Sequence, residues 1–304
     1  MNHPVVKLLV LLLIIFICAL LGSVIIVGIS MANGLSLNDL ISNGNDFSYM
    51  SPNMTRLLLL TNHLTTFIIP AFLFAFYYYR KNILRYFRLD KTPNVMLLML
   101  GIIAIFAALP LVQFSFQINQ DIPLPDWATS MEAETAKTLE NIMTMNGIGD
   151  LLFNVFLIGI IPAIGEELIF RGIIQVQLEK IWGALAGIIL SAIIFSAIHM
   201  QFEGFLPRFT LGVLLACLYY WTRSLWVPIV AHLINNASQV IMLYVSDDFN
   251  IEDINSAPDT NILWVLLSSA GMIAIYYAIR QIRPKALDLE EEEILAREEN
   301  EMNV

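Results

Sequence analysis

Long apolar stretches separated by short polar connections make up most of the chain. A helix that crosses a bilayer needs about 20 predominantly apolar residues. On that criterion the pattern predicts eight membrane-spanning helices, of which the sixth is short: Leu8–Ala32, Leu57–Tyr79, Val95–Phe116, Leu151–Gln175, Trp182–Met200, Phe209–Trp221, Trp226–Val245 and Ile262–Ile279. The predicted fold class is therefore an all-α, polytopic membrane helix bundle.

The composition supports this prediction. Of the 304 residues, 58% are hydrophobic and 14% are charged, with a mean hydropathy of +0.71. A soluble domain averages about 45–50% apolar and about 25% charged residues. The first apolar run also exceeds the roughly 7–15 apolar residues of a signal-peptide core, so it is predicted to be a retained anchor.

Lys and Arg residues are distributed unevenly between the two sets of predicted connections. Cytoplasmic connections carry an excess of these residues. Placing the N-terminus inside gives the cytoplasm Lys7, the cluster from Arg80 to Lys91 and most of the later basic residues, and it leaves only Arg56, Lys137 and Arg208 outside. We therefore predict a multi-pass protein of the cell (plasma) membrane with both termini cytoplasmic.

Two polar connections are long. Residues 33–55 are predicted to form an outer loop, and residues 121–149 contain an amphipathic helix that we interpret as an interfacial element or lid. Residues 1–281 then form one membrane domain, and the acidic residues 282–304 form a disordered cytoplasmic tail. Much of the net charge of -10 lies in this tail. No basic stripe of the kind that binds nucleic acid is present, and Cys18 and Cys217 are predicted to be apolar filler.

Three charged residues interrupt the fourth predicted span, in the stretch "IPAIGEELIFRG". An ionisable side chain at mid-membrane costs roughly 2.5–3.5 kcal/mol on insertion, so these side chains should face the protein interior. Residues four apart on a helix share a face, so Glu167 can pair with Arg171. Glu166 is rotated by about 100° and lacks such a partner on its own helix. An unpaired carboxylate in a poorly hydrated site suits a general base.

A histidine near the end of the fifth span lies at a comparable depth. The fourth and fifth spans are joined by a tight turn near residues 180–183, and an antiparallel hairpin then brings His199, in "FSAIH", to the level of Glu166. A lone intramembrane histidine is commonly a packing residue. Its position level with a free carboxylate favours a functional role.

The seventh span contributes a third polar group, "HLINNA". His232 and Asn236 are four residues apart and point the same way. Two donors that converge from one helix face fit an oxyanion site. The alternative is polar contact between helices, which accounts well for Asn235 and less well for His232.

Other motifs carry less weight. His63 has no carboxylate nearby in the sequence, so a structural role is favoured for it. Neither a Gly-x-Ser-x-Gly elbow nor a His-Glu-x-x-His motif is present in a credible setting. A divalent metal such as zinc nevertheless accepts the ligand types of Glu166, Glu167, His199 and His232.

Taken in order, the three polar groups resemble one known family. "EELIFR" fits Glu-Glu-x-x-x-Arg, "FSAIH" fits Phe-x-x-x-His and "HLINN" fits His-x-x-x-Asn. This set resembles the CPBP family of intramembrane proteases, which includes the CAAX prenyl endopeptidases and bacteriocin-processing or self-immunity relatives. The resemblance covers roughly residues 151–245, a segment that would form the protease core.

The resemblance implies a glutamate-dependent endopeptidase that acts on a membrane-associated protein or peptide. Glu166 would activate the attacking water with help from His199, and His232 with Asn236 would stabilise the oxyanion. Glu167 and Arg171 would hold the geometry of the site. The family has often been labelled metalloproteases, but these roles require no cofactor, and we expect none. The sequence leaves the substrate and the oligomeric state open.

Two other functional classes compete with this interpretation. A non-catalytic scaffold or bacteriocin self-immunity factor could retain the same pocket as structure. A proton-coupled transporter could use buried Glu and His side chains as a relay. The transporter interpretation predicts two repeated halves with broken helices, and the sequence shows no such repeat.

Overall fold

The structure, a computed structural model, describes residues 3–42, 47–246 and 260–282. Within these ranges all regular secondary structure is helical, which confirms the predicted fold class. The predicted acidic tail lies outside the described residues apart from Ile282. The helices of the described ranges are α1 (Pro4–Ala32), α2 (Leu37–Ser42), α3 (Pro52–Tyr86), α4 (Val95–Gln120), α5 (Asp126–Met143), α6 (residues 148–182), α7 (residues 184–197), α8 (Phe205–Thr222), α9 (Trp226–Val245) and α10 (Ile262–Ile282).

Seven helical stretches in the described part of the chain are long and apolar enough to cross a membrane. One of them, the 50-residue stretch Ile148–Ala197, is a hairpin of α6 and α7 rather than a single helix. Its turn is at Gly183, whose φ of 84° favours glycine. Across the turn, a Cβ atom added at Gly187 would lie 2.9 Å from the backbone nitrogen of Glu179. The hairpin predicted from the sequence is therefore present, and counting its two arms separately gives eight apolar segments.

The outer surface of the bundle is apolar. On α1, Leu9, Leu12 and Phe16 are each about 60% exposed, whereas Lys7 is buried. Such a surface is unfavourable in water and suits lipid, in which helices satisfy their own backbone hydrogen bonds. Together with the helix lengths, it identifies a multi-pass membrane protein.

The interior is formed by two apolar clusters with α9 contributing to both. One cluster joins α1, α3, α6 and α7 around Phe74, Phe170 and Phe195, and the other joins α4, α8 and α10. Residues 161–175 of α6 are buried almost without interruption. The three charged residues that the sequence places in this segment are therefore inside the protein and not in lipid.

Three π-helical segments occur in the described helices, at Leu64–Ile68 in α3 and at Val155–Ile160 and Phe170–Gln175 in α6. The two in α6 flank the α-helical stretch Ile161–Ile169, which carries Glu166 and Glu167. Segments of this kind are rare and frequently occur at functional sites. They widen the turns of α6 on both sides of the glutamates.

Both long connections contain helices within the described residues. The predicted outer loop contains the short helix α2, and α3 begins at Pro52. The predicted amphipathic helix is present as α5, with Ala128 and Ile142 buried. Trp127 is 57% exposed but packs edge-on against Phe202 with 5.2 Å between ring centroids. The N-terminal part of α5 therefore lies against the loop that follows His199.

Candidate active site

Glu167 is the centre of a buried network of ionisable side chains. Its Oε1 accepts hydrogen bonds from Nη1 of Arg171 at 2.7 Å and from Nδ1 of His232 at 2.9 Å. All three side chains are at most 3% exposed. The pair expected from the four-residue spacing of Glu167 and Arg171 is thus present, and it extends to α9 through a residue 65 positions away.

Arg171 ties the network to two further helices. Its Nη2 donates to the carbonyl oxygen of Gly212 in α8 at 2.9 Å, and its guanidinium carbon lies 4.7 Å from the ring centroid of Phe195 in α7. A buried charge is tolerated only when it is paired and hydrogen-bonded. Arg171 has a carboxylate, a carbonyl and an aromatic ring as partners, while its Nε has no hydrogen-bond partner among the described residues.

Glu166 is buried like Glu167 but is held less tightly. Its Oε2 lies 3.9 Å from Nε2 of His232, which is within ion-pair range but too long for a hydrogen bond. Beside it, Gly165 packs on the π-helical segment of α3, where an added Cβ would lie 2.9 Å from the Cβ of Phe67. Only glycine fits this contact, so residue 165 is fixed by packing and brings α3 against the site.

Phe195 connects the two candidate histidines. Its ring is 2% exposed and lies edge-on to His199 at 5.2 Å and to His232 at 6.0 Å between centroids. His199 also places Nδ1 2.8 Å from the carbonyl oxygen of Phe195. A carbonyl only accepts, so Nδ1 carries the proton and Nε2 of a neutral His199 keeps its lone pair.

Asn236 is oriented by two contacts. Its Nδ2 donates to the carbonyl oxygen of Ile158 at 3.1 Å, and its Oδ1 accepts from Nδ2 of Asn235 at 3.0 Å. In a regular α-helix the Ile158 carbonyl would accept from residue 162, but Pro162 has no amide hydrogen. Asn236 takes up this carbonyl and keeps a second N–H. Sequence reasoning treated Asn235 as contact between helices, whereas the structure places it on Asn236.

His232 and Asn236 share a helix face, as their spacing predicts, but they have different partners. Nδ1 of His232 is turned to Glu167, and one amide hydrogen of Asn236 is turned to Ile158. The donors left for an oxyanion are therefore Nε2 of His232, when it is protonated, and the second amide hydrogen of Asn236.

Two residues near the site were not selected from the sequence. Arg208, at the start of α8, lies within electrostatic range of Glu166 and His199. His63 of α3 lies within range of His199 and His232, and its ring packs against Phe67 at 5.5 Å. Arg208 was assigned to an outer connection and His63 to a structural role. Arg208 could have been selected from the sequence because it directly precedes the sixth predicted span.

The described side chains do not fit a resident metal ion well. Among them, no group of three His, Cys, Asp or Glu residues is arranged to hold a metal. Of the four ligand types named from the sequence, Glu167 and His232 are already bonded to each other, and Glu167 also binds Arg171.

Comparisons with known proteins match the segment that carries these residues. Residues 148–238 match the family model described as "Type II CAAX prenyl endopeptidase Rce1-like", a segment that contains all three motifs. The resemblance seen in the sequence is therefore confirmed for the segment that carries it. No solved structure matches the chain at a significant level.

Curated relatives match over part of the chain. The chain is 43% identical over 84 residues to the Bacillus subtilis protein named "Putative membrane peptidase YdiL", covering 27% of this chain and 34% of the relative. It is 31% identical over 93 residues to "Membrane-embedded CAAX protease MroQ" of Staphylococcus aureus, covering 29% and 38%. It is also 27% identical over 146 residues to "Uncharacterized protein YpbD" of B. subtilis, covering 46% and 71%. The first two matches span about a third of the relatives they match.

Proposed function

We propose that this protein, whose residues 148–238 carry the Rce1-like CAAX prenyl endopeptidase segment, is an intramembrane endopeptidase that hydrolyses a peptide bond of a membrane-associated protein or peptide. The family match supports a membrane peptidase in general. The assignment of residues to steps is our proposal and rests on the geometry of the site.

One observation carries the proposal. Two adjacent, buried glutamates face the same histidine, but Glu167 is bound to Arg171 and His232 by short hydrogen bonds, whereas Glu166 lies 3.9 Å from His232. A carboxylate that is tightly paired is a poor base, while a loosely held carboxylate in a buried site can accept a proton. Glu166 is therefore the base, and Glu167 holds His232.

Hydrolysis then follows a simple course. Glu166, assisted by the free Nε2 of His199, takes a proton from water as its oxygen attacks the carbonyl carbon of the substrate. A tetrahedral oxyanion forms. When the C–N bond breaks, the same proton passes to the leaving amine, and the products are a carboxylic acid and an amine.

His232 and Asn236 are assigned to the oxyanion. A donor at Nε2 of His232 requires both ring nitrogens to be protonated. In that form Nδ1 donates to Glu167 and Nε2 is left for the oxyanion. Asn236 contributes its second amide hydrogen, and Asn235 and the Ile158 carbonyl fix the amide plane.

The remaining assignments follow from the sequence. The protein is proposed to lie in the plasma membrane with both termini cytoplasmic, because the basic residues lie in the connections that this topology places inside. Its partners are the lipid bilayer and a peptide substrate. The reaction is proposed to require no cofactor.

The test is a cleavage assay on the full chain, purified in a non-ionic detergent, with a fluorogenic peptide library. Wild type, Glu166→Gln and His199→Ala are compared with Glu140→Gln, which changes an exposed carboxylate of α5 in the same way. We expect cleavage by wild type and Glu140→Gln, and loss of cleavage in the two site variants. A chelator should leave the rate unchanged.

Other results would contradict particular parts of the proposal. Absence of cleavage by the wild type contradicts peptidase activity. Full activity in Glu166→Gln indicates a scaffold that tolerates the near-isostere. Loss of wild-type activity with a chelator, restored by added Zn²⁺, contradicts the metal-free mechanism.

A further inference from the structure

Arg208 is a cation beside the proposed catalytic carboxylate that the mechanism above does not use. It is the fourth residue of α8, and it is half-buried. Arg208 lies one helical turn before Gly212, whose carbonyl oxygen accepts from Arg171 and where an added Cβ would lie 3.1 Å from Cδ1 of Phe195. This places Arg208 on the face of α8 that packs on the site, and its charge also acts on Glu166 and His199. A peptide bound across the site can therefore reach the guanidinium.

The partners of Arg208 are neutral. In the described part of the chain, its hydrogen bonds go to Gln201, with Nη1 donating to the side-chain oxygen at 2.5 Å and Nη2 donating to the backbone carbonyl. Arg171, the other arginine of the site, is instead paired with a carboxylate. The charge of Arg208 is thus not compensated by direct contact with an acid.

The two oxygens of Gln201 occupy the fork of the guanidinium. A carboxylate fits this fork with two parallel hydrogen bonds, and charge-assisted bonds of this kind are roughly twice as strong as neutral ones. The side chain of Gln201 is long and partly exposed, in the loop between α7 and α8. An incoming carboxylate can therefore replace its Oε1 without moving a helix.

The surroundings of Arg208 otherwise disfavour acids. Oε1 of Glu132, on α5, accepts from the backbone nitrogen of Glu203 at 3.1 Å. Burial raises the pKa of Glu203, and the nearby charge of Glu132 raises it further. Glu132 also acts on the charge of Arg208, without direct contact. An anionic group elsewhere at this end of the site is repelled by these carboxyls, whereas on Arg208 it gains charge-assisted hydrogen bonds. Arg208 is therefore the group at this end of the site that favours a bound carboxylate.

We propose that Arg208 is a specificity-determining residue that binds a carboxylate of the peptide substrate beside the scissile bond. The inference rests on the proposed peptidase function. The carboxylate belongs either to the C-terminus of the substrate or to an Asp or Glu side chain, and the two sources share the same chemistry.

The experiment compares matched peptides based on one sequence that the wild type cleaves. One peptide ends in a free carboxylate and a second in an amide. Two further amidated peptides carry Glu or Gln at positions next to the scissile bond. Full-length wild type, Arg208→Gln, Arg208→Lys and Gln201→Ala are assayed in a non-ionic detergent, with Arg280→Gln as a control for loss of an exposed arginine.

We expect the wild type to prefer one anionic peptide over its neutral partner by about tenfold or more in kcat/KM. The preferred pair identifies the source of the carboxylate. Arg208→Gln should reduce this ratio to about one, Arg208→Lys should retain part of it because lysine binds as a point charge, and Gln201→Ala should increase it. Arg280→Gln should keep the wild-type ratio.

Each other outcome is decisive. Equal cleavage of anionic and neutral peptides by the wild type overturns the role of Arg208 and leaves the peptidase function standing. An unchanged ratio in Arg208→Gln does the same. Cleavage of no library peptide by the wild type contradicts the peptidase function itself. If Arg208→Gln does not fold, as judged by its melting temperature, the ratios of Arg208→Lys and Gln201→Ala decide.

Discussion

Two arginines, Arg56 and Arg171, are among the largest fully buried side chains of the protein, yet they serve different regions. Arg56 in α3 donates to Asn53 and Asp150, and also to the backbone carbonyls of Ile142 and Thr144. It thereby fastens the end of α5 and the start of α6 to α3. Arg171 donates to Glu167 and Gly212 at the centre of the candidate site.

The difference lies in the carboxylate that each arginine holds. Asp150 is 28% exposed and has one further role, accepting from the backbone nitrogen of Asn146. Glu167 is fully buried and passes the interaction on to His232. Both arginines therefore form ion pairs, but the pair of Arg56 holds the ends of helices together, whereas the pair of Arg171 orients His232. What distinguishes the site is a second carboxylate, Glu166, which none of the arginines in the described ranges contacts directly.

The largest effect is expected for Glu166→Gln, which removes the feature that distinguishes the two regions. Activity should fall by about 10³-fold or more, because a proposed base is lost. The melting temperature should not fall, because the buried charge is replaced by a neutral group of the same shape. The measurement combines peptide cleavage with thermal unfolding in detergent. A large fall in melting temperature would show that Glu166 is a structural partner like Asp150.

Arg171→Met should damage both stability and activity. It leaves Glu167 buried without its cation, at a cost of about 3–5 kcal/mol, and it releases His232 from a fixed orientation. We expect a clear fall in melting temperature and loss of cleavage even in the folded fraction, measured after size-exclusion chromatography. Normal activity in that fraction would mean that Glu167 orients His232 without help from Arg171.

Arg56→Met should damage stability alone. Four hydrogen bonds are lost, but Asp150 can turn to water, so we expect a smaller cost of about 2–3 kcal/mol. Cleavage per folded molecule should stay within about twofold of wild type, since Arg56 contacts none of the proposed catalytic groups. Arg56→Lys serves as the matched variant that keeps the charge. A selective loss of activity in the folded fraction would show that the contacts of Arg56 act on the site.

Sequence reasoning reached those contacts that depend on helical spacing. The pair of Glu167 and Arg171 follows from four residues on one helix, and the hairpin follows from a glycine-containing turn between two apolar runs. Contacts between distant segments were beyond it. Arg56 and Asp150 are 94 residues apart, and the link from Glu167 to His232 requires the packing of α6 against α9.

The position of Asn236 illustrates an intermediate case. Asn236 was recognised from the sequence as a donor. That Asn236 binds the carbonyl of Ile158 depends on the π-helical segment Val155–Ile160 and on the depth at which α9 crosses α6. Neither quantity can be obtained from apolar periodicity.

The smallest expected effect concerns Asn235, and it tests how finely the site is oriented. Nδ2 of Asn235 donates to Oδ1 of Asn236, so Asn235→Ala removes one neutral hydrogen bond that is worth about 0.5–1.5 kcal/mol. We expect cleavage to fall by about 3–10-fold, mainly in kcat, because the amide of Asn236 is proposed to act on the oxyanion and not on the bound substrate. Ser238→Ala is the control, since its hydroxyl bonds only the backbone of Asn235 in the described structure. A change confined to KM would mean that Asn236 acts in substrate binding. A fall in melting temperature without a fall in kcat would mean that Asn235, like Arg56, only stabilises the fold.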